Sequence, residues 1–386
     1  MLQVGTSYSP VRSRQSLFGY FLAAAIVANT IPYFIGSEIS DLGQSSEAAK
    51  TWQYISVATL FSAYLLCVLS GKTSIKLDGT AYWAIGPLSF YLLVNAFFSE
   101  QSDTSAAYAI LFLAVVISIA TVKLRPEEWL VAFRQTSLLS AAVMLAFVLT
   151  KHSNGRYYGT VHPNFVGSWI FVQAVLIYLW PGWYRWIGMV ALAIFTVVVD
   201  SRFCGLALII FIAATEMLAR IRSPRQILQF AIVGLAAILL AGPYLAAFLE
   251  GEGARSLSGG IAGRFDRWDL TFAHIAERPW LGYGFRTSRQ AIIGGHSGIT
   301  TIVAELGVIG ALIFISLFAG RLRTLYTHVA HPESQASRKL AIMMLGALVA
   351  YISPLTFQPN YLNFGDPIGI LILLCLFVRI PRHHQA

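Results

Sequence analysis

Long apolar runs, separated by short polar segments, decide what this chain can fold into. Each run spans roughly 15–23 residues, close to the length a helix needs to cross a bilayer. Charged residues make up 12% of the chain, about half the share a water-facing domain carries. Such a chain cannot cover a soluble surface, so the expected fold is all-α and polytopic in a membrane. The runs are continuous rather than alternating in ten-residue strands, which favours helices over a barrel.

Twelve such segments can be drawn, at 17–36, 52–70, 81–99, 105–122, 130–150, 164–180, 184–199, 203–219, 228–249, 297–319, 339–353 and 366–380. The first follows Arg12 and Arg14. It is too long for a signal-peptide core and lacks a small-residue cleavage site, so it reads as a retained helix. Cys67, Cys204 and Cys375 lie in or beside apolar runs without metal-ligand spacing, as small core residues do. No repeat or soluble domain interrupts residues 1–386, which read as a single membrane domain.

Lysine and arginine orient the chain. With the N-terminus inside, 17 of the 27 basic residues fall in cytoplasmic segments. The outer side holds Lys50, Lys151, Arg156, Arg202 and six arginines in one loop, 250–296, between the ninth and tenth segments. Both termini are then cytoplasmic. The formal charge of +9 follows from this flanking pattern, so no nucleic-acid partner is implied.

The loop carries Arg255, Arg264, Arg267, Arg278, Arg286 and Arg289 and closes on His296. Arg264 to Glu277 has the period of an amphipathic helix. Phe265, Trp268, Phe272 and Ile275 form an apolar stripe, and Arg264, Arg267, Thr271, His274 and Arg278 a basic one. The apolar stripe is expected to lie on the bundle or the membrane, with the basic stripe along the surface near lipid phosphates. Solvated arginines in i,i+3 and i,i+4 pairs are the plainer alternative. Pro279 should stop the helix and Gly282-Tyr283-Gly284 turn the chain.

Other polar residues share that side. Arg202 follows Asp200-Ser201 in a very short connection, where an arginine is costly unless paired or hydrated. It is a phosphate ligand, a snorkelling side chain, or half of a link to Asp200. His162 and Asn164 flank Pro163, which fits the first turn of a helix. They either bond a sugar or phosphate or cap that helix. His296 is a general-base candidate or a structural hydrogen-bonder. Glu305, inside an apolar run, needs a partner such as a loop arginine, or lies where the helix breaks at Gly307.

No D-x-D, Walker or G-x-S-x-G sequence occurs, and no His/Cys/Asp cluster has metal spacing. A metal-independent mechanism without cofactors, using arginines against a phosphate-rich leaving group, is what remains.

Gly263-Arg264-Phe265-Asp266-Arg267-Trp268, followed by Glu277-Arg278-Pro279-Trp280-Leu281-Gly282-Tyr283-Gly284-Phe285, resembles the G-R-x-x-x-W…hP-h-x-G-x-G pattern (h, hydrophobic) of the O-antigen ligase and Wzy/ExoQ-type polysaccharide polymerase superfamily. His296-Ser297 followed by Val303-Ala304-Glu305-Leu306-Gly307-Val308-Ile309-Gly310 resembles its H-N-x-h-L…E-L-G-h-h-G segment, with Ser297 where the family usually has Asn. Gly159 to Asn164 and Asp200-Ser201-Arg202 resemble two earlier signatures. The likeness covers roughly residues 150–320 and the twelve-span layout.

The resemblance implies a GT-C-like glycosyltransferase of the bacterial inner membrane, with its active site facing the periplasm. Its donor would be a saccharide on undecaprenyl diphosphate. Its acceptor would be a lipid-linked repeat (polymerase, favoured by the 277–285 segment) or lipid A–core (ligase). Arg202 and Arg264 would bind the diphosphate, His296 would take the acceptor proton, and the anomeric centre would invert. Arg267, Arg278, His162, Asn164 and Trp268 would line the substrate. A homologous system would include a flippase and a chain-length regulator. A lipid-linked-saccharide transporter is the alternative of another class; it would show polar or broken helices at mid-membrane and repeated halves.

Overall fold

The computed structural model describes residues 15–31, 47–151, 153–154, 157–158, 161, 163–220, 262–287, 297–358, 361–362, 364 and 366–380. The expected segment 228–249, Arg255, Arg289, His162 and His296 lie outside them. Side chains of 262–267 are also outside the description.

The described chain is almost wholly helical. In order come α1 (Gln15–Ala28), α2 (Glu47–Leu69), α3 (Gly79–Trp83), a π-helical turn (Ala84–Leu88), α4 (Ser89–Phe97), α5 (Ser102–Ala120) and α6 (Pro126–Thr150). A two-residue antiparallel pair, β1 (Ser153–Asn154) and β2 (Tyr157–Tyr158), precedes α7 (Pro163–Ile177), α8 (Tyr184–Val199) and α9 (Arg202–Arg220). Then follow α10 (Ala262–Glu277), α11 (Gly298–Ala330), α12 (Gln335–Ala350), α13 (Ile352–Phe357) and α14 (Pro367–Phe377). Among the described residues, six helices are long and apolar enough to cross a membrane: Thr51–Leu69, Ser102–Ala120, Pro126–Thr150, Arg202–Arg220, Gly298–Ala330 and Gln335–Phe357. Each falls on one of the apolar segments drawn above.

Local chemistry sets the helix starts. Proline occupies the first position of α6, α7 and α14, where a missing N–H costs nothing. Asp366 caps α14 through the Ile368 N–H at 2.8 Å, and Ser334 caps α12 through the Ser337 N–H at 3.0 Å. Pro87 interrupts the ladder between α3 and α4, and the π turn absorbs it.

At the centre stand α7 and α14. Every residue of α14 is buried, and α7 buries all but Asn164 and Phe165. A helix apolar all round belongs inside a bundle. Lipid gives no hydrophobic drive between helices, so packing and interhelical hydrogen bonds hold them. Trp169 Nε1 donates to Ser140 Oγ at 3.0 Å, Gln173 Nε2 to Ser137 O at 2.9 Å, and Asn29 Nδ2 to Ser56 Oγ at 2.7 Å. Arg321, 1% exposed on α11, donates to Cys375 O at 2.9 Å and Val378 O at 2.6 Å, closing the C-terminal turn of α14.

The polar contacts sort to two ends of the bundle. One, the basic end, joins Lys72 to Glu128 at 2.8 Å, Arg185 to Glu216 at 3.2 Å, and Arg379 Nη1 to Lys76 O at 2.6 Å. The other, the motif end, holds the starts of α5, α7, α9, α11 and α14 together with α10. The chain leaves the described residues at Arg220 on the basic end and re-enters with α10 on the motif end.

Candidate functional site

Two joints bring the motif segments to one end. The first is built around a break in α11. Gly307 there has φ 64 and ψ −177, so the helical ladder stops and its backbone groups need other partners. The segment after α10 supplies them. Val308 N–H donates to Pro279 O at 2.8 Å, Tyr283 N–H to Ala304 O at 2.9 Å, and Gly284 N–H to Glu305 O at 2.9 Å. Asn95 of α4 ties both strands of this joint. Its Nδ2 donates to Leu281 O and, at 3.2 Å, to Glu305 O, while its Oδ1 accepts the Phe285 N–H at 2.8 Å. The Tyr91 hydroxyl donates to Leu306 O.

Only glycine fits where the two backbones meet. A Cβ on Gly307 would lie 2.1 Å from Trp280 O, and one on Gly282 2.5 Å from Glu305 O. Both residues also have positive φ, +64° and +68°. This accounts for the glycines of the L-G-Y-G and E-L-G segments together.

Glu305 is 1% exposed. Its Oε2 accepts the Arg286 backbone N–H at 2.8 Å and the Tyr361 hydroxyl. Arg286 adopts φ 64, an uncommon conformation for a residue with a Cβ that costs about 1–3 kcal/mol. Its guanidinium is buried, with Nη1 donating to Tyr361 O at 3.4 Å and Cζ 5.8 Å from the Tyr108 ring centroid. The expected break at Gly307 is present, and the loop residue that meets Glu305 does so through its backbone N–H rather than its guanidinium.

The second joint gathers helix starts. Asp200 ends α8 in the left-handed conformation, φ 52, and turns the chain directly into α9. Ser201 then presses on α7, where a Cβ on Gly167 would lie 2.1 Å from Ser201 Oγ. Gly167 is one turn beyond Pro163, so the start of α7, Pro163-Asn164, and the Asp200-Ser201-Arg202 segment adjoin. Ser353 of α13 donates to Phe203 O at 3.0 Å. The other side of α13 meets α11, with Leu355 O 3.1 Å from where a Cβ on Gly298 would stand. Gly298 lies two residues after His296.

No family model matches the chain, and no curated protein matches it.

Arg202 is the first residue of α9 and is exposed, at a helix N-terminus where the backbone favours anions. Asn164 is the second residue of α7 and half-buried. Arg264 and Arg267 lie on the backbone of α10. Arg278 ends that helix in an ion pair with Glu100, its guanidinium 4.8 Å from the Tyr283 ring centroid. Its charge is thus already partnered.

Of the two seats expected for the apolar stripe of α10, bundle or membrane, Phe272 takes the outward one, while Thr271 of the basic stripe departs from expectation by packing inward. Thr271, placed in the basic stripe, is 1% exposed, whereas Phe272 of the apolar stripe is 52% exposed and Leu270 65%. Thr271 is turned to the bundle, Trp268, His274 and Ile275 are half-buried, and Leu270 and Phe272 point outward. At a membrane boundary this carries no penalty, because lipid accepts Leu270 and Phe272.

Around α10's end, the Tyr283 hydroxyl donates to Glu277, and His274 Nδ1 stands 3.5 Å from the same carboxylate. The Tyr283 hydrogen bond, then that of His274, holds the Glu277 carboxyl below its usual range. Burial and the Glu277 carboxylate push the Tyr283 phenol up to about 12.

Sequence reading did not single out Asn95, Arg286 as a buried group, or Tyr361. An amide in an apolar run was the available signal for Asn95. Tyr361 lies 56 residues beyond Glu305, with no local signal joining them.

Proposed function

We propose that the protein is a membrane glycan transferase of the O-antigen ligase and polysaccharide polymerase type. In this reading about twelve spans cross the bacterial inner membrane, both termini are cytoplasmic, and the motif end faces the periplasm. The observation that carries it is the convergence of the four motif-bearing segments on one end of the bundle, through the Gly307 joint and the contacts of Ser201 and α13.

The reaction would run as follows. His296 takes the proton of the acceptor hydroxyl, whose oxygen attacks the anomeric carbon of the lipid-linked donor. The carbon–oxygen bond to undecaprenyl diphosphate breaks on the opposite face, inverting the centre. The diphosphate leaves with the bonding pair, and Arg202 and Arg264 neutralise it. Arginine suits the role because its planar fork binds phosphate oxygens in pairs and stays charged. Arg278 contributes through Glu100 to holding α10 rather than to the donor.

A transporter reading is less well supported. Its broken helices line an open path, whereas the break at Gly307 is filled by the protein's own 279–284 backbone.

The test is reconstitution with an undecaprenyl-diphosphate oligosaccharide. Lengthening lipid-linked ladders identify a polymerase, and transfer only to added lipid A–core identifies a ligase. Neither product, with protein correctly inserted, overturns the enzyme reading. Arg264→Ala and His296→Ala should each abolish product while insertion persists, and full activity in both would remove the site assignment.

A further inference from the structure

The basic end holds a cluster that the reaction above does not use. Arg134 of α6 and Lys339 of α12 both donate to one carbonyl, Leu179 O, at 2.8 and 3.0 Å. Sharing one acceptor brings the two like charges within a few ångströms. Arg338 donates to Ala219 O at 3.0 Å, and Arg185 pairs with Glu216 at 3.2 Å. Both Arg134 and Arg185 stand close enough to Lys339 to repel its charge.

These four cations have one carboxylate among their hydrogen-bonding and ion-pair partners in the described residues, Glu216, which Arg220 also shares at 3.4 Å. Capping of helix ends explains one donor each of Arg134, Arg338 and Lys339. It leaves both Nη groups of Arg134 and the rest of the Lys339 ammonium without an acceptor among the described residues. A flanking charge at this end behaves otherwise: Arg125, beside Glu128, is 67% exposed, whereas Arg185 is 23% exposed. A half-buried excess of positive charge calls for an anion.

The neighbouring surface says which anion. Trp183 and Trp186 are exposed beside Arg185, where indoles mark the headgroup level of a bilayer. From them the outer face of α8 runs through Ile187, Val190, Ile194 and Val197, all exposed and at helical spacing. From Trp183 to Val197 this strip is about 21 Å long, more than one leaflet's hydrocarbon depth of about 15 Å. We propose that the basic end binds one anionic phospholipid, its phosphate among Arg134, Arg185, Arg338 and Lys339 and its acyl chains along α8. A basic pocket between helices is a suitable receptor for such a headgroup. Anionic lipid would thereby brace α6, α8 and α12 at the end opposite the motif segments.

Thermal unfolding of the purified full chain in detergent tests this, with titrated phosphatidylglycerol, phosphatidylcholine or inorganic phosphate. Phosphatidylglycerol should raise Tm by a few degrees and phosphatidylcholine should not. The rise should fall by at least half in the Arg134→Gln/Lys339→Gln double variant and persist in Arg125→Gln. An equal rise with phosphatidylcholine, or an undiminished rise in the double variant, overturns the proposal. Inorganic phosphate matching phosphatidylglycerol would show an anion site without lipid and overturn it too. Should the double variant fail to fold, brominated lipid replaces it as the arbiter. Brominated phosphatidylglycerol should quench the Trp183/Trp186 fluorescence, taken as the difference from Trp183→Phe/Trp186→Phe, more than brominated phosphatidylcholine does. Equal quenching overturns the proposal.

Discussion

The hydroxyl of Tyr361 and the backbone N–H of Arg286 converge on a single carboxylate oxygen of Glu305. That oxygen joins the loop after α10, the broken start of α11, and the connection between α13 and α14. Leaving a buried partner unsatisfied costs about 1–3 kcal/mol. Glu305→Leu should therefore lower stability more than Tyr361→Phe. Glu305→Gln, which keeps an acceptor oxygen, should lower it least. Chemical unfolding in detergent reads the order, and equal stability of Glu305→Leu and the parent would dissolve the joint.

Gly307→Ala should abolish folded protein or cost well over the ~1–2 kcal/mol of a left-handed alanine, since its Cβ would sit 2.1 Å from Trp280 O. Gly320 of the same helix has open space around it. Gly320→Ala should stabilise by up to about 1 kcal/mol through helix propensity. Monodispersity and Tm of the pair check the contrast.

The Glu277 carboxyl is held below the ordinary carboxylate value by Tyr283 and His274. A lowered folded value means its contribution to anchoring the end of α10 is complete above the ordinary value of about 4.3. It is lost as pH falls through the lowered value. Limited proteolysis near Arg278 should accelerate below that point in the parent. In Tyr283→Phe, where the main cause is gone, acceleration should begin at higher pH. Coincident profiles would count against the arrangement.

Arg202→Ala should reduce transfer by roughly 10²–10³-fold, as expected for a lost electrostatic contact at the leaving group. Arg278→Ala should reduce it far less, because its charge is already held by Glu100. Steady-state product formation from the lipid-linked donor distinguishes them. Equal losses would place Arg278 at the substrate.

Much of this was legible in residue order. The period of 264–277 and Pro279 located α10, found at Ala262–Glu277, and Pro163 marked the start of α7. Glu305 announced a partner, and Gly307 a break, because neither suits an unbroken apolar helix. Which way α10 faces was not legible. Its stripes left bundle and membrane open for Phe272; Phe272 is exposed and Thr271 of the basic stripe buried, an arrangement allowed because lipid removes the penalty of an outward apolar side chain. Tyr361 was equally hidden, as its role depends on a contact formed only when distant segments pack.

The two central helices have a consequence for insertion. α14 is eleven residues and α7 fifteen, rises of roughly 16 and 22 Å against a hydrocarbon layer near 30 Å. On their own, such lengths would force lipid to thin around them. Covered by protein along nearly all their residues, they leave that mismatch to the longer helices that surround them.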